Sequence, residues 1–189
     1  MRLLLIVGSR GSGKTSLCEK ISRAARARHI FCCGCLEVSA RDADGRPYRV
    51  ELVDISSGDS FLAARRARDS SQPFEFIHES FSLIRERCVA ALELPADATS
   101  NRRACIIDEI GPLELNEQRG HAELLELLFK NKALDVLVLT VRPSLIDTLE
   151  TVIFSYGQSI EDYRKIMVDN ANDIQSHNAI ISILDSISL

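Results

Sequence analysis

Near its amino terminus the chain reads Leu3-Leu4-Leu5-Ile6-Val7-Gly8-Ser9-Arg10-Gly11-Ser12-Gly13-Lys14-Thr15, an apolar run that passes directly into a glycine-rich turn. The residues from Gly8 onward match G-x-x-x-x-G-K-[ST], the pattern of a phosphate-binding loop, or P-loop. The apolar run predicts a buried strand, and the spacing of apolar residues after the turn predicts a helix over 14–28. Backbone N–H groups of such a loop point at one spot, where they can bind the phosphates of a nucleoside triphosphate.

The residues of the loop have distinct expected roles toward a bound triphosphate. Lys14 carries a mobile charge for the β- and γ-phosphates, and the hydroxyl of Thr15 is a candidate Mg²⁺ ligand. The candidate nucleotide-binding residues are Gly8, Ser9, Arg10, Gly11, Ser12, Gly13, Lys14, Thr15 and Ser16. The sequence therefore predicts a substrate such as ATP or GTP, with Mg²⁺ as the cofactor.

A second apolar run, Ala104-Cys105-Ile106-Ile107, ends in the acidic pair Asp108-Glu109. This is the Walker B pattern, which completes a Mg²⁺–nucleotide site together with a P-loop. Asp108 is the candidate Mg²⁺ ligand. Successive side chains at a strand end point toward different atoms, so Glu109 is the candidate catalytic residue that orients or deprotonates the attacking water.

An arginine commonly completes such a site by stabilising the charge of the transition state. Arg142 follows an apolar strand predicted over 135–141, which puts it at the carboxyl edge of the sheet, where open α/β folds bind ligands. It joins Lys14 and Glu109 as a candidate catalytic residue. Arg10, Arg65 and Arg66 are further candidates, and the sequence does not choose among the four.

The composition limits the classes of function. The 189 residues are interpreted as one domain, 1–189, and the net charge of -4 argues against nucleic-acid binding through bulk electrostatics. Neither a signal-peptide pattern nor an apolar segment of membrane-spanning length is present, so a cytoplasmic protein without a membrane partner is expected. The oligomeric state stays open, with a monomer slightly favoured.

Six cysteines are expected to be reduced thiols in that compartment, and most occupy apolar positions typical of small core residues. The cluster Cys32-Cys33-Gly34-Cys35 lacks a second cysteine pair at a metal-site spacing. A group of thiols at a strand end is therefore favoured over a metal site.

The rest of the chain predicts a departure from simple strand–helix alternation. Strands over 30–39 and 48–55 flank a turn at Asp44-Gly45, which indicates a hairpin. The polar segment 56–73 lacks periodicity and is interpreted as a mobile segment that could close over a nucleotide, or as an ordinary surface loop. Further elements are predicted as helices over 79–94, 118–131 and 143–151, a strand over 164–168, and a final helix to residue 186 capped by Asn170 or Asn172.

With both motifs identified, the chain resembles the small nucleoside-triphosphatase family first associated with thermophiles, whose vertebrate members are called cancer-related nucleoside-triphosphatase. The sharpest likeness is Ile107-Asp108-Glu109-Ile110-Gly111-Pro112-Leu113-Glu114-Leu115, which is similar to the family's extended D-E-I-G-x-M-E-L signature with Leu in place of Met. The strand Cys35-Leu36-Glu37-Val38 and the turn Gly45-Arg46 follow the family's hairpin in order.

The resemblance implies a fold and an activity. The fold is the three-layer α/β sandwich of P-loop NTPases, RecA-like, with a mostly parallel sheet, an inserted antiparallel hairpin and an additional strand between the P-loop and Walker B strands. The activity is Mg²⁺-dependent hydrolysis of nucleoside triphosphates to the diphosphate and phosphate, with residues 8–15 on phosphates and Mg²⁺, and Asp108 and Glu109 serving Mg²⁺ and water. Glu114 matches the signature without a clear role.

Two other classes of function remain open from the residues. The same loop and acidic strand end serve kinases, for which the segment 56–73 and the cysteine-rich hairpin could form an acceptor pocket. A nucleotide-switched binding module, in which slow hydrolysis resets a partner interaction, is the third class. The sequence does not give the preferred base or the physiological substrate.

Overall fold

A computed structural model describes residues 1–67, 73–94, 102–156, 160–169, 178, 181–182 and 184–185. Its strands are β1 (Arg2–Val7), β2 (Phe31–Arg41), β3 (Pro47–Asp54), β4 (Ser60–Arg66), β5 (Phe74–Phe76), β6 (Arg103–Ile110), β7 (Val136–Val141) and β8 (Asp162–Met167). Its helices are α1 (Lys14–Arg26), α2 (His78–Glu93), α3 (Pro112–Leu115), α4 (Ala122–Lys130) and α5 (Ile146–Ser155), with a 3₁₀ turn at Pro143–Leu145.

These strands form one sheet in the order β5-β4-β3-β2-β6-β7-β1-β8. The five strands from β2 to β8 in this order run parallel, whereas β3, β4 and β5 continue from β2 as an antiparallel meander. β7 lies between β1 and β6, which is the additional strand expected between the P-loop and Walker B strands. The predicted fold class is therefore confirmed, and the expected hairpin is the start of a longer meander.

Helices cover both faces of the parallel strands because those strands are apolar on both sides. On β1, Leu4 and Ile6 share a core with α1. Leu3 and Leu5 of the same strand belong to the larger core on the opposite face, which is built with α2, α4 and α5. This arrangement leaves the carboxyl ends of β1, β6 and β7 together at one edge of the sheet.

All six cysteines are buried and unbridged, as the sequence predicts for core thiols. Within the described part of the chain, none of the helices combines the length and apolarity needed to cross a membrane.

The segment 56–73 differs most from its prediction. Residues 60–66 are not irregular, since β4 pairs antiparallel with β3 and carries the buried Ala63 and Ala64. Small and basic side chains give a weak strand signal, so pairing with a neighbouring strand determines the conformation here. Residues 68–72, including Arg68 of the basic run, lie outside the described residues.

Most of the predicted final helix lies outside the described residues, and the other predicted elements are present with shifted ends. The helix predicted over 118–131 begins only at Ala122, because Gln118 and Gly120 have φ values of 54° and 60°, which a right-handed helix does not contain. The helix predicted over 143–151 starts as a 3₁₀ turn and extends to Ser155. The predicted caps Asn170 and Asn172 lie outside the described residues.

Candidate active site

The P-loop connects β1 to α1 in a conformation that needs glycine. Gly13, directly before the helix, has a φ of 98°, in the left-handed region that residues with a Cβ seldom adopt. A Cβ added to Gly8 would lie 2.2 Å from Ser12 Oγ and 2.6 Å from the carbonyl oxygen of Val168. The first glycine of the motif is thus required by close packing, and the last by backbone conformation.

The polar groups of the loop are arranged around its backbone. Lys14 is buried, and its Nζ donates to the carbonyl oxygens of Gly8 (2.9 Å) and Ser9 (3.1 Å). Ser12 Oγ is buried and has no hydrogen-bond partner among the residues that the structure describes. A buried hydroxyl with no partner inside a glycine loop is a donor available to a ligand. The remaining positions predicted to bind phosphate lie at the surface, and these are Ser9, Arg10, Gly11 and Ser16.

Asp108 reaches the loop from the end of β6, and the structure brings its carboxylate close enough to the Thr15 hydroxyl for that hydroxyl to lower its pKa. The buried carboxylate also accepts a hydrogen bond from Thr140 Oγ1 (2.9 Å) and one from the backbone N–H of Glu37 (3.3 Å). Burial raises the pKa of Asp108, and the Thr15 hydroxyl, the Thr140 hydroxyl and the backbone N–H of Glu37 oppose that rise. A carboxylate and a hydroxyl that meet in this way form an oxygen donor pair of the kind that Mg²⁺ prefers.

Glu109 departs from strand geometry where β6 ends. Its φ is 67°, its backbone N–H donates to Thr140 Oγ1 (2.9 Å), and the register between β6 and β7 shifts between Ile107 and Ile110. A left-handed conformation is uncommon for a residue with a side chain and is concentrated at functional sites. The bulge turns Glu109 away from Asp108, so the two carboxylates face different partners.

Arg142 is the partner of Glu109. It follows β7, and its Nε lies 2.7 Å from Glu109 Oε1. The structure therefore brings together the predicted water-activating residue and one of the four candidate arginines. Of the other three, Arg65 pairs with Glu75 within the meander, Arg66 pairs with Asp42, and Arg10 lies exposed on the loop.

A third carboxyl group, which the sequence analysis assigned no role, lies beside the Walker B pair. Glu37 of β2 is half-buried, and its backbone contacts Asp108. Burial, together with the charges of Glu109, Asp108 and Glu114, raises the pKa of Glu37 to about 8. The carboxyl groups of Glu37, Asp108 and Glu109 thus lie near one another at this edge of the sheet. The signal for Glu37 was its place in a strand adjacent to the Walker B strand, which only the strand order reveals.

Glu114, the signature residue without an assigned role, supports the turn after the Walker B strand. Its buried carboxylate accepts the backbone N–H of Gly111 (2.9 Å) through Oε2 and that of His121 (3.1 Å) through Oε1. The first bond caps α3, and the second fixes the start of α4. These contacts of Glu114 therefore stabilise the backbone between α3 and α4.

The comparison with protein families now bears on this geometry. The sequence model of a family described as NTPase matches residues 3–176. This chain belongs to the NTPase family. The match confirms the resemblance on which the sequence analysis relied, although no curated protein sequence matches the chain.

Two solved structures share the fold of this NTPase-family chain. The solution structure of a human cancer-related nucleoside triphosphatase aligns with a TM-score of 0.66 at 19% identity, covering 99% of this chain and 97% of that one. The crystal structure of THEP1 from the hyperthermophile Aquifex aeolicus aligns with a TM-score of 0.65 at 18% identity, covering 97% of this chain and 99% of that one. Identities this low support the fold and leave the chemistry to be argued from the site.

Thr140 is a second residue of this site that the sequence analysis missed. It is a fully buried polar residue within β7, and its single hydroxyl bonds both members of the Walker B pair. One signal was available, since Thr140 is the polar exception in the apolar run Val136–Val141. A polar residue at the end of a buried strand next to the Walker B strand must find a partner, and here that partner is the site itself.

Proposed function

We propose that this NTPase-family protein hydrolyses nucleoside 5′-triphosphates, ATP and GTP among them, to the diphosphate and phosphate in a Mg²⁺-dependent reaction. The observation that carries the proposal is the approach of the Thr15 hydroxyl, on the P-loop helix, to the buried Asp108 carboxylate at the end of the Walker B strand, where it lowers the carboxyl pKa. These two oxygen ligands come from elements far apart in sequence and meet beside a loop shaped for phosphate. The family match and the name of the human structural neighbour support the same activity.

The residues present fit Mg²⁺. Thr15 and Asp108 would hold the ion, and a cation there offsets the cost of a buried carboxylate. When bound, Mg²⁺ neutralises part of the charge on the β- and γ-phosphates. Lys14 and the N–H groups of the loop bind the same phosphates, and the Ser12 hydroxyl, which has no partner among the described residues, adds a donor.

Glu109 is proposed to orient the attacking water and accept its proton. Its position on the bulge directs it away from Asp108, so it can serve water while Asp108 serves the metal. Arg142 pairs with Glu109 and is half-exposed, and its guanidinium is proposed to exchange the carboxylate for a γ-phosphate oxygen when nucleotide binds. In that exchanged position Arg142 stabilises transition-state charge and frees the Glu109 carboxylate to act as a base.

The test is phosphate release from ATP, GTP, CTP and UTP with Mg²⁺, in wild type and in Glu109→Gln. We expect the glutamine variant to lose at least about 100-fold in rate while still binding nucleotide, since removal of a general base typically costs that much. Glu117→Gln is the matched control, because Glu117 is exposed and follows the same strand end. Equal rates in Glu109→Gln and wild type would contradict the assigned role.

Each assay is repeated with a pool of nucleosides and small phosphate acceptors. Release that does not need an acceptor supports hydrolysis. Release that appears only with an acceptor, together with a phosphorylated product, would identify a kinase instead. We further propose that the protein acts in the cytoplasm, where thiols such as its six cysteines stay reduced.

A further inference from the structure

Three thiols meet in the core at a distance from the nucleotide loop. Cys33 belongs to β2, Cys88 to α2 and Cys105 to β6, and their sulfur atoms all lie within 4.8 Å of one another. Cys33 lies opposite Cys105 in the parallel register of β2 and β6. All three side chains belong to the core on the α2 face, and each is 2% exposed or less.

The spacing of these sulfur atoms suits a three-coordinate metal ion. With metal–sulfur bonds of about 2.3 Å, a trigonal ion holds its three sulfur ligands about 4 Å apart. The observed upper limit of 4.8 Å leaves only a few tenths of an ångström of adjustment per atom. The three ligands also come from three separate elements, so their convergence is not a by-product of one local run of cysteines.

The donor set selects among metals. Thiolates favour soft ions such as Cu(I), whereas a structural zinc site takes four ligands in a tetrahedron. Among the described residues, the group contains three cysteines and neither a histidine nor a carboxylate. His121, the buried histidine on this face, is turned to a different thiol, with its Nε2 3.5 Å from Cys35 Sγ. The set therefore matches a soft ion of low coordination number better than zinc.

We propose that Cys33, Cys88 and Cys105 bind one soft, thiophilic monovalent cation of the Cu(I) type. Each thiol that coordinates as thiolate gives its proton to solvent, and no electron is transferred, so copper enters and remains as Cu(I). The bound ion would connect α2 to two strands of the sheet, one of which carries Asp108 at its end. Because the site is closed, the ion enters when α2 separates from the sheet, and loading is expected to be slow.

The experiment is an anaerobic titration of the reduced, full-length protein with Cu(I) against a chromogenic Cu(I) chelator, without nucleotide. We expect one copper ion per chain after long incubation, and a thermal unfolding midpoint that rises with copper, since a ligand that binds only the folded state stabilises it. Cys88→Ala and Cys105→Ala should each weaken copper binding by more than about 100-fold. A residue that only hydrogen-bonds to a metal ligand typically costs up to about that much when it is removed, so a larger loss indicates a direct ligand. Cys18→Ala is the matched control, because Cys18 is equally buried on the other face of the sheet.

Several results would overturn the proposal. These are copper binding to Cys88→Ala with wild-type affinity, an equal loss in Cys18→Ala, no copper retained by wild type against the chelator, or Zn(II) bound in preference to Cu(I). X-ray absorption of the copper-loaded wild type gives a second test that does not depend on the variants folding. Three sulfur neighbours per copper are expected, and nitrogen or oxygen neighbours instead would contradict the assignment.

Discussion

Replacing Thr140 with valine removes one buried hydroxyl and keeps the branched shape of the side chain. That hydroxyl donates to Asp108 Oδ1 at 2.9 Å and accepts the backbone N–H of Glu109 at 2.9 Å. Losing a hydrogen bond to a charged group costs about 1.5–3 kcal/mol, and leaving a buried N–H unpaired costs about 1–3 kcal/mol. Because neighbouring losses are not additive, we expect the free energy of unfolding to fall by about 3 kcal/mol in total.

Thr140→Ser separates hydrogen bonding from packing. Serine keeps the hydroxyl and removes one buried methyl, which costs about 1 kcal/mol. If hydrogen bonding dominates, valine destabilises more than serine, whereas packing alone predicts the reverse order. Urea unfolding followed by circular dichroism, without Mg²⁺ or nucleotide, measures both. Thr151→Val is the control, since the Thr151 hydroxyl bonds only a carbonyl of its own exposed helix surface, and its effect should stay within about 0.5 kcal/mol. A valine variant that is more stable than the serine variant would refute the reasoning.

Three further substitutions test other features of the fold. Burial lowers the pKa of His121 to about 4, so the stability it contributes is present above about pH 6.5 and is lost as the pH falls toward 4. Between about pH 6.5 and 4, the free energy of unfolding measured with urea should fall by about 2 kcal/mol less in His121→Gln than in the control His78→Gln, which replaces an exposed histidine. Equal falls in the two variants would contradict the assignment. Glu114→Gln leaves one of two backbone N–H groups without an acceptor, so the free energy of unfolding should fall by about 2 kcal/mol. An unchanged midpoint of thermal unfolding would argue against the structural role of Glu114. Gly34→Ala would place a Cβ 1.9 Å from a main-chain oxygen of β6, so we expect the free energy of unfolding to fall by more than about 3 kcal/mol. The control Gly45→Ala, whose Cβ meets no atom within 4 Å, should cost about 1 kcal/mol. Similar losses in the two variants, measured by urea unfolding, would show that β2 can shift.

The parts of the site that the sequence could predict are local. A strand, a glycine loop and a helix that follow in order specify their own geometry, so the roles expected of Lys14 and Thr15 needed no knowledge of other elements. Asp108 and Glu109 were predictable for a similar reason, since parallel strands of such a sheet end at the edge where ligands bind. The assignments of catalytic roles to these residues remain predictions until the kinetic tests are made.

The parts that the sequence could not predict depend on strand order. Thr140 and Glu37 matter because β7 and β2 both lie next to β6, and no local pattern encodes that adjacency. The same holds for the thiol group, in which only Cys33 comes from the cysteine-rich run that drew attention. β4 was missed because its alanines and arginines have little intrinsic preference for a strand and obtain it from pairing with β3.

β1 lies inside the sheet, between β7 and the edge strand β8, and this position sets a condition on how the protein is made. The strand is synthesised before both of its neighbours in the sheet, which begin only at Val136 and Asp162. At a synthesis rate of about 5–20 residues per second, this strand of apolar side chains waits on the order of ten seconds before its backbone can hydrogen-bond to a neighbouring strand. Pairing between distant segments is also intrinsically slow. The strand that leads into the nucleotide loop therefore depends on protection from aggregation while the chain is still being translated.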